Sequence, residues 1–420
     1  MIVVPFLFFS SLTVYWWKKH GQLDVCVYMA GLYAMTSLFA IIIVCGDMLG
    51  TGGVAFDSND IRLGFMPTML YCLFIALGIL PFSMIFKRDL KSIGSRMPLL
   101  IDGLGVVLIA VSILNFYLVA DSTLEILSGD LSTVRSDHYE GILSPAEVKA
   151  QSMPSIIKYF YYLNTATTLA LPLWFYNISC RKVKWWYNAL LLFASLSLPL
   201  AGIQAADRTE SVFYALMFLF CYFLFNKMMS RKTKVKIYWL GTSLAALIII
   251  YLAAVSLARF EKREGGATQS IVQYAGQNYL NFCFFWEKGK FEYISPEREF
   301  PLTWHTLFGI DSNPERRSVR SGEQGFHMSI FASFIGDVML DLSPLGMVTW
   351  TTYYFLICCI IIGKSHREDM DISEILLVFM AATVPVFGIF YYRLFSFRCT
   401  YVLIIVLLIY LLSKRKLVYR

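Results

Sequence analysis

The sequence predicts an all-α polytopic membrane protein of about eleven transmembrane helices with one large extracytoplasmic loop, and three observations predict it. Apolar residues make up 57% of the chain and charged residues only 15%, with a mean hydropathy of +0.60, whereas soluble domains carry roughly 25% charged residues. Apolar runs of the ~20 residues needed to cross a ~30 Å hydrocarbon core recur along the whole length. Lys and Arg gather in every second connection between those runs. The net charge of +7 is mostly this basic fringe, so it gives no warrant for nucleic acid as a partner.

The first run, near residues 2 to 17, lacks a basic leading segment and a small-residue cleavage site, so it reads as a short retained helix rather than a signal peptide. Runs near 25 to 45, 65 to 86, 98 to 120, 157 to 179, 186 to 206, 211 to 226 and 237 to 258 follow. Each must be helical, because the backbone finds no water in the bilayer. Met328 to Gly363 is too long for one span, since about 36 residues at 1.5 Å each would make about 54 Å of helix. It carries Asp337, Asp341 and Pro344, which predicts a break near Leu342 to Pro344. An outer helix from Ser329 to Leu340 would then lie at the membrane surface or re-enter it, and a true span would start at about Leu345. Runs near 373 to 391 and 399 to 412 complete the set.

Orientation follows from the positive-inside rule. The basic connections are Lys18-Lys19, Lys87-Arg88 with Lys91 and Arg96, Arg181-Lys182 with Lys184, Lys227 to Lys236, Lys364 with Arg367, and Lys414-Arg415-Lys416. Placing all six in the cytoplasm puts the N-terminus outside, the C-terminus inside, and 46 to 64, 121 to 156, 207 to 210, 259 to 326 and 392 to 398 outside. Of nine scattered cysteines only Cys283 falls in an outer loop, which supports no disulfide framework. No internal repeat is visible, whereas transporters usually show paired halves, so residues 1–420 read as a single integral membrane domain.

The loop 259 to 326 holds nine Lys/Arg, nine Asp/Glu and many aromatic rings, Trp286 and Trp304 among them. Binding and catalytic groups gather on loops held by a rigid scaffold. Aromatic faces can stack on sugar rings, but a helix lying in the headgroup layer, here Tyr279 to Trp286, also wants them on one side.

Charged residues near bilayer depth are functional candidates by default. Arg208 sits in the tight outer turn Asp207-Arg208-Thr209-Glu210; alternatively it pairs with Asp207 or Glu210 and marks a helix end, as many ion pairs do. Arg316, Arg317 and Arg320 form a second cationic set, and Arg393 with Arg398 a third. The planar guanidinium fork pairs two phosphate oxygens at once, so these arginines suit a lipid diphosphate. His327 can take a proton from a hydroxyl at neutral pH, with Glu323, Asp337 and Asp341 as reserve acid/base groups. Asp337 and Asp341 share a helix face but have no His or Cys at ligand spacing, so no metal site is expected.

The turn 207–210, the long loop after the eighth run, and the stretch from Gly325 through His327, Asp337 and Asp341 to Gly346 resemble the O-antigen polymerase (Wzy-type) family, which is related to the O-antigen ligases. The resemblance implies a GT-C-like membrane glycosyltransferase of a bacterial inner membrane, inverting, metal-independent and without a cofactor. One polyprenyl-diphosphate-linked oligosaccharide would donate its chain to a sugar hydroxyl of another at the periplasmic face, releasing polyprenyl diphosphate and building a surface polysaccharide such as O-antigen or capsule. Membrane lipid, a chain-length regulator and a flippase are the further partners it implies. Carried over, Arg208 with one of Arg316, Arg317 or Arg320 would neutralise the leaving diphosphate, Arg393 would be a further ligand, and His327 would be the base or acceptor-positioning group. The chain departs from the family at Met328, where an asparagine often follows the histidine. Ligase-type transfer of glycan to a lipid or protein acceptor would use the same groups, and a lipid-linked oligosaccharide flippase is the alternative of another class.

Overall fold

The computed structural model describes residues 1–49, 63–87, 92–128, 161–203, 208–260, 266–291, 330–363, 369–395 and 397–415, with the isolated positions 149, 153–154, 300, 305–306 and 309. In chain order the helices are α1 (Val3–His20), α2 (Val25–Cys45), α3 (Phe65–Ile79), α4 (Ser83–Lys87), α5 (Pro98–Ser128), α6 (Ala170–Cys180), α7 (Trp185–Ser195), α8 (Ser197–Ile203), α9 (Thr209–Phe225), α10 (Arg231–Phe260), α11 (Gly266–Lys288), α12 (Ser333–Gly363), α13 (Ile372–Phe387) and α14 (Phe397–Arg415). Among the described residues seven helical stretches are long and apolar enough to cross a membrane, beginning at Val25, Phe65, Pro98, Trp185, Thr209, Arg231 and Ser333. The other expected runs also contain helices, α1, α6, α13 and α14, which stand outside those seven.

Local chemistry sets the first corner. Gly21 ends α1 in the left-handed conformation (φ 65°), its N–H bonded to Trp17 O at 2.8 Å. Asp24 then caps α2, its Oδ1 accepting from the N–H groups of Cys26 and Val27 at 3.0 Å each, while His20 bonds its other oxygen.

The chain divides into two compact units, the first made of Met1–Asp89, Lys262–His366 and Met380–Thr400, the second of Leu90–Glu261, Arg367–Phe379 and Tyr401–Arg420. In the first unit α11 runs antiparallel to α2. Gln273 Nε2 donates to Met48 O (2.6 Å), Gly276 lies against Phe39 and Ala40, and Asn278 Nδ2 reaches Thr36 Oγ1 (3.4 Å). Its aromatic face is buried too: Tyr279 bonds Thr68 at 2.7 Å, and Tyr71 packs on both Tyr279 and Phe282.

This corrects the expectation for Tyr279 to Trp286. The segment's rings do not face outward as an interfacial helix needs; α11 packs into the unit with Tyr279, Phe282 and Phe285 fully buried. Its small and amide side chains let backbones approach and hydrogen bond between helices, which is what drives helix association where the solvent is itself apolar.

The predicted break in the long run is present. Ser343, just before Pro344, adopts φ 69° and ψ 170° inside α12. Pro344 has no N–H to continue the helix, and its ring disfavours helical backbone in the residue before it. Every residue from Ser333 to Asp341 is buried, so this first half of α12 packs within the unit and does not lie on its surface. Because that region of φ and ψ is nearly glycine's alone, Ser343→Gly is expected to relieve strain of about 1 kcal/mol and raise the unfolding temperature of detergent-solubilised protein. A lowered temperature would mean that the serine conformation carries no strain.

The second unit has two features no apolar pattern announces. Ser92–Gly94 and Asp369–Asp371 pair as parallel strands β1 and β2, with Ile93 opposite Met370. Asp371 fastens them, accepting from Arg96 N (2.6 Å) and from Ser373 N and Oγ (2.9 and 2.6 Å). Nearby, Arg181 grips Asp102 through both terminal nitrogens (2.6 and 3.1 Å), and that carboxylate raises the guanidinium above its ordinary pKa. Arg181, expected on the inner side, is thus a structural cation joining the end of α6 to the start of α5.

Candidate functional site

A helix begins with N–H groups that lack intrahelical partners. At α12 the segment 388–393 supplies some of them: Ser333 N donates to Phe390 O (3.1 Å) and Phe334 N to Gly388 O (3.0 Å). Gly388 is needed there, since a Cβ would stand 2.2 Å from Val384 O and 2.5 Å from Phe334 Cδ1. One turn further along α12, the fully buried Asp337 accepts the Tyr392 N–H on Oδ2 at 2.7 Å. Asp341, also fully buried, follows on the same helix face.

Arg393 comes next in the chain and is only 6% exposed. Its Cζ lies 5.5 Å from the Phe387 ring centroid, and its Nη1 is 3.5 Å from Tyr391 OH. Phe387 and Tyr391 meet edge to face at 5.0 Å, and Phe331 stacks on Tyr391 at 5.8 Å. Tyr392 is wedged against Trp350 and Phe300. Removing a guanidinium from water costs several kcal/mol before compensation, so an arginine buried among rings at a helix terminus is an expensive feature.

In the second unit Arg208 stands immediately before α9 and is half-buried. Its Nη1 donates to Ser256 Oγ at 2.7 Å, and that hydroxyl donates in turn to Leu252 O at 2.5 Å on α10. The α9 N-terminus carries the positive end of the helix dipole, so a cation here adds to a field that favours an anion. The alternative expectation, that Arg208 only pairs within its own turn, is answered in part: it also anchors across to α10. Asp207 lies outside the described residues.

Of the candidates named from sequence, Arg316, Arg317, Arg320, Glu323 and His327 lie outside the described residues. Asp337 and Arg393 are brought to one segment of the first unit, joined through the Tyr392 amide; Arg208 belongs to the second unit. Arg398, grouped with Arg393 in the sequence, is exposed on α14. Sequence reasoning missed Ser256, Phe387 and Tyr391, and a partner 48 positions away in sequence, as Ser256 is to Arg208, leaves no local signal. It also missed the polar row Gln273, Gln277 and Asn281, although the four-residue spacing was legible as a helix face. Asn281 Nδ2 reaches Phe331 O at 2.8 Å, tying α11 to the start of α12. Among the described residues no group of three or more His, Cys, Asp or Glu side chains could hold a metal ion. Compared with protein-family models, curated proteins and solved structures, the chain matches none of them.

Proposed function

We propose that this chain is an oligosaccharide repeat-unit polymerase of a bacterial inner membrane, joining polyprenyl-diphosphate-linked units on the outer face. The observation that supports the reading best is Arg393, a guanidinium held at 6% exposure against an aromatic wall on the connection between two helices. A guanidinium held beside aromatic rings next to apolar helices suits an anion that is itself tethered in the membrane, and a lipid diphosphate is such an anion.

In the proposed step an acceptor sugar hydroxyl attacks the anomeric carbon of the donor from the side opposite its phosphate oxygen. A carbon–oxygen bond forms to the acceptor, the bond to the diphosphate oxygen breaks, and the hydroxyl proton passes to a base, for which His327 is the candidate. Negative charge grows on the departing oxygen, and a preorganised guanidinium lowers the barrier by stabilising it there. Arg208 has a diphosphate contact of its own in this reading.

The test incubates purified protein in liposomes with polyprenyl-diphosphate-linked repeat units and EDTA, and resolves the products by size. A ladder of lipid-linked multiples is expected. Unchanged substrate, from a preparation that a known polymerase extends, would sink the proposal.

A further inference from the structure

We infer that Asp337 is the positioning residue of Arg393: it holds the 388–393 segment so that the guanidinium is presented in one direction, and it is not the base of the reaction. The inference rests on the diphosphate reading of Arg393 and deepens it by naming the group that organises the cation.

Bonds from positions 333, 334 and 337, which share one side of the helix, tie this segment to α12. The two main-chain bonds hold residues 388 and 390. The bond from Asp337 reaches Tyr392, beyond the two main-chain bonds, and the short 3-10 turn Arg393–Phe395 starts at the next residue. Fixing the Tyr392 amide therefore fixes the plane from which Arg393 departs. Phe387 and Tyr391 line the guanidinium, so the direction set by the backbone is kept by the rings. A carboxylate bonded to a backbone N–H is a strong, charge-assisted acceptor, and here it is shielded from water. The same facts argue against proton transfer. A general base must come within about 3 Å of the hydroxyl it deprotonates. Asp337 is fully buried in the packed half of α12, with one oxygen committed to the main chain.

Asn in place of Asp337 keeps an acceptor oxygen at the same reach and cannot act as a base, whereas Ala removes both. The purified chain would be titrated with inorganic pyrophosphate, assayed for polymer formation, and followed by amide exchange over 388–393. Expected are a loss of tenfold or more in pyrophosphate affinity for Arg393→Ala and Asp337→Ala, and a loss of only a few fold for Asp337→Asn. The Ala change should add almost nothing in an Arg393→Ala background, because residues that act as one unit are not additive. Exchange at Tyr392 should speed up in Asp337→Ala and stay slow in Asp337→Asn. If Asn abolished polymerisation while pyrophosphate affinity and exchange stayed at wild-type values, Asp337 would be a proton-transfer group and the inference would be wrong. Unchanged exchange in Asp337→Ala would overturn it as well. If exchange responded as expected but pyrophosphate bound equally well without Arg393, the diphosphate reading would fall and the tether alone would remain.

Discussion

If the chain is the polymerase proposed above, Arg208→Ala is expected to lower polymer formation by roughly 10²- to 10³-fold, the usual loss when one preorganised donor to developing negative charge is removed. Arg208→Lys recovers little, because an ammonium lacks the fork that meets two phosphate oxygens and would not reproduce the bond to Ser256 in the same geometry. Ser256→Ala is the informative companion. It leaves the charge in place but frees the side chain from α10, and losing one hydrogen bond to a charged group, about 1.5 kcal/mol, predicts a drop of roughly tenfold. The measurement is initial rate of polymer formation in liposomes at matched protein level, with thermal unfolding run in parallel. Full activity in Arg208→Ala would remove Arg208 from the reaction. A loss that followed unfolding temperature instead would make it a helix-end anchor.

Gly276→Leu prevents accumulation of folded protein, whatever the activity. A Cβ at this position would stand 2.5 Å from Ala40 N and 2.5 Å from Phe39 C, which are main-chain atoms of α2 and cannot swing aside. Either α11 moves away, opening its contacts with Thr36, Met48 and Thr68, or both helices distort. Overpacking typically costs about 1–3 kcal/mol, and occasionally more, so Ala at this site should already lower the unfolding temperature, and Leu should give aggregate on size-exclusion chromatography. Gly31, in the middle of α2 itself, is the control: nothing lies within 4 Å of its added Cβ. Gly31→Ala should be neutral or stabilising by about 0.5–1 kcal/mol, the usual preference for Ala over Gly in a helix. Equal behaviour of the two positions would show that α2 and α11 do not meet as described.

Much of the helical framework was readable because a membrane span has a one-dimensional signature: enough consecutive apolar residues, and a backbone that has no choice but to be helical. The break at Ser343 was readable for a similar reason, since Pro344 acts on its own neighbours through its ring and its missing N–H. The Asp24 cap and the Gly21 turn are equally local. Arg208 and Arg393 could be picked out as costly charges beside apolar runs, but the sequence put Arg393 and Arg398 in one connection, and only folding buried one and exposed the other.

The part played by α11 was not readable. Its amides and rings fit an interfacial helix as well as a packed one, because amphipathic periodicity states that two faces differ without stating what each face meets. The same limit hid the strand pair, where three residues are too few to show a period, and the bonds from Ser256 to Arg208 and from Asp337 to the Tyr392 amide. By itself the sequence determined where the long apolar runs turn helical, where one of them breaks and which charges are costly, because those properties depend on neighbours along the chain, whereas it assigned the residues of α11 to a loop. Tertiary structure alone decided which charges are held, by which partners and how deeply, because a hydrogen bond between residues far apart in sequence exists only once packing has brought its donor and acceptor together.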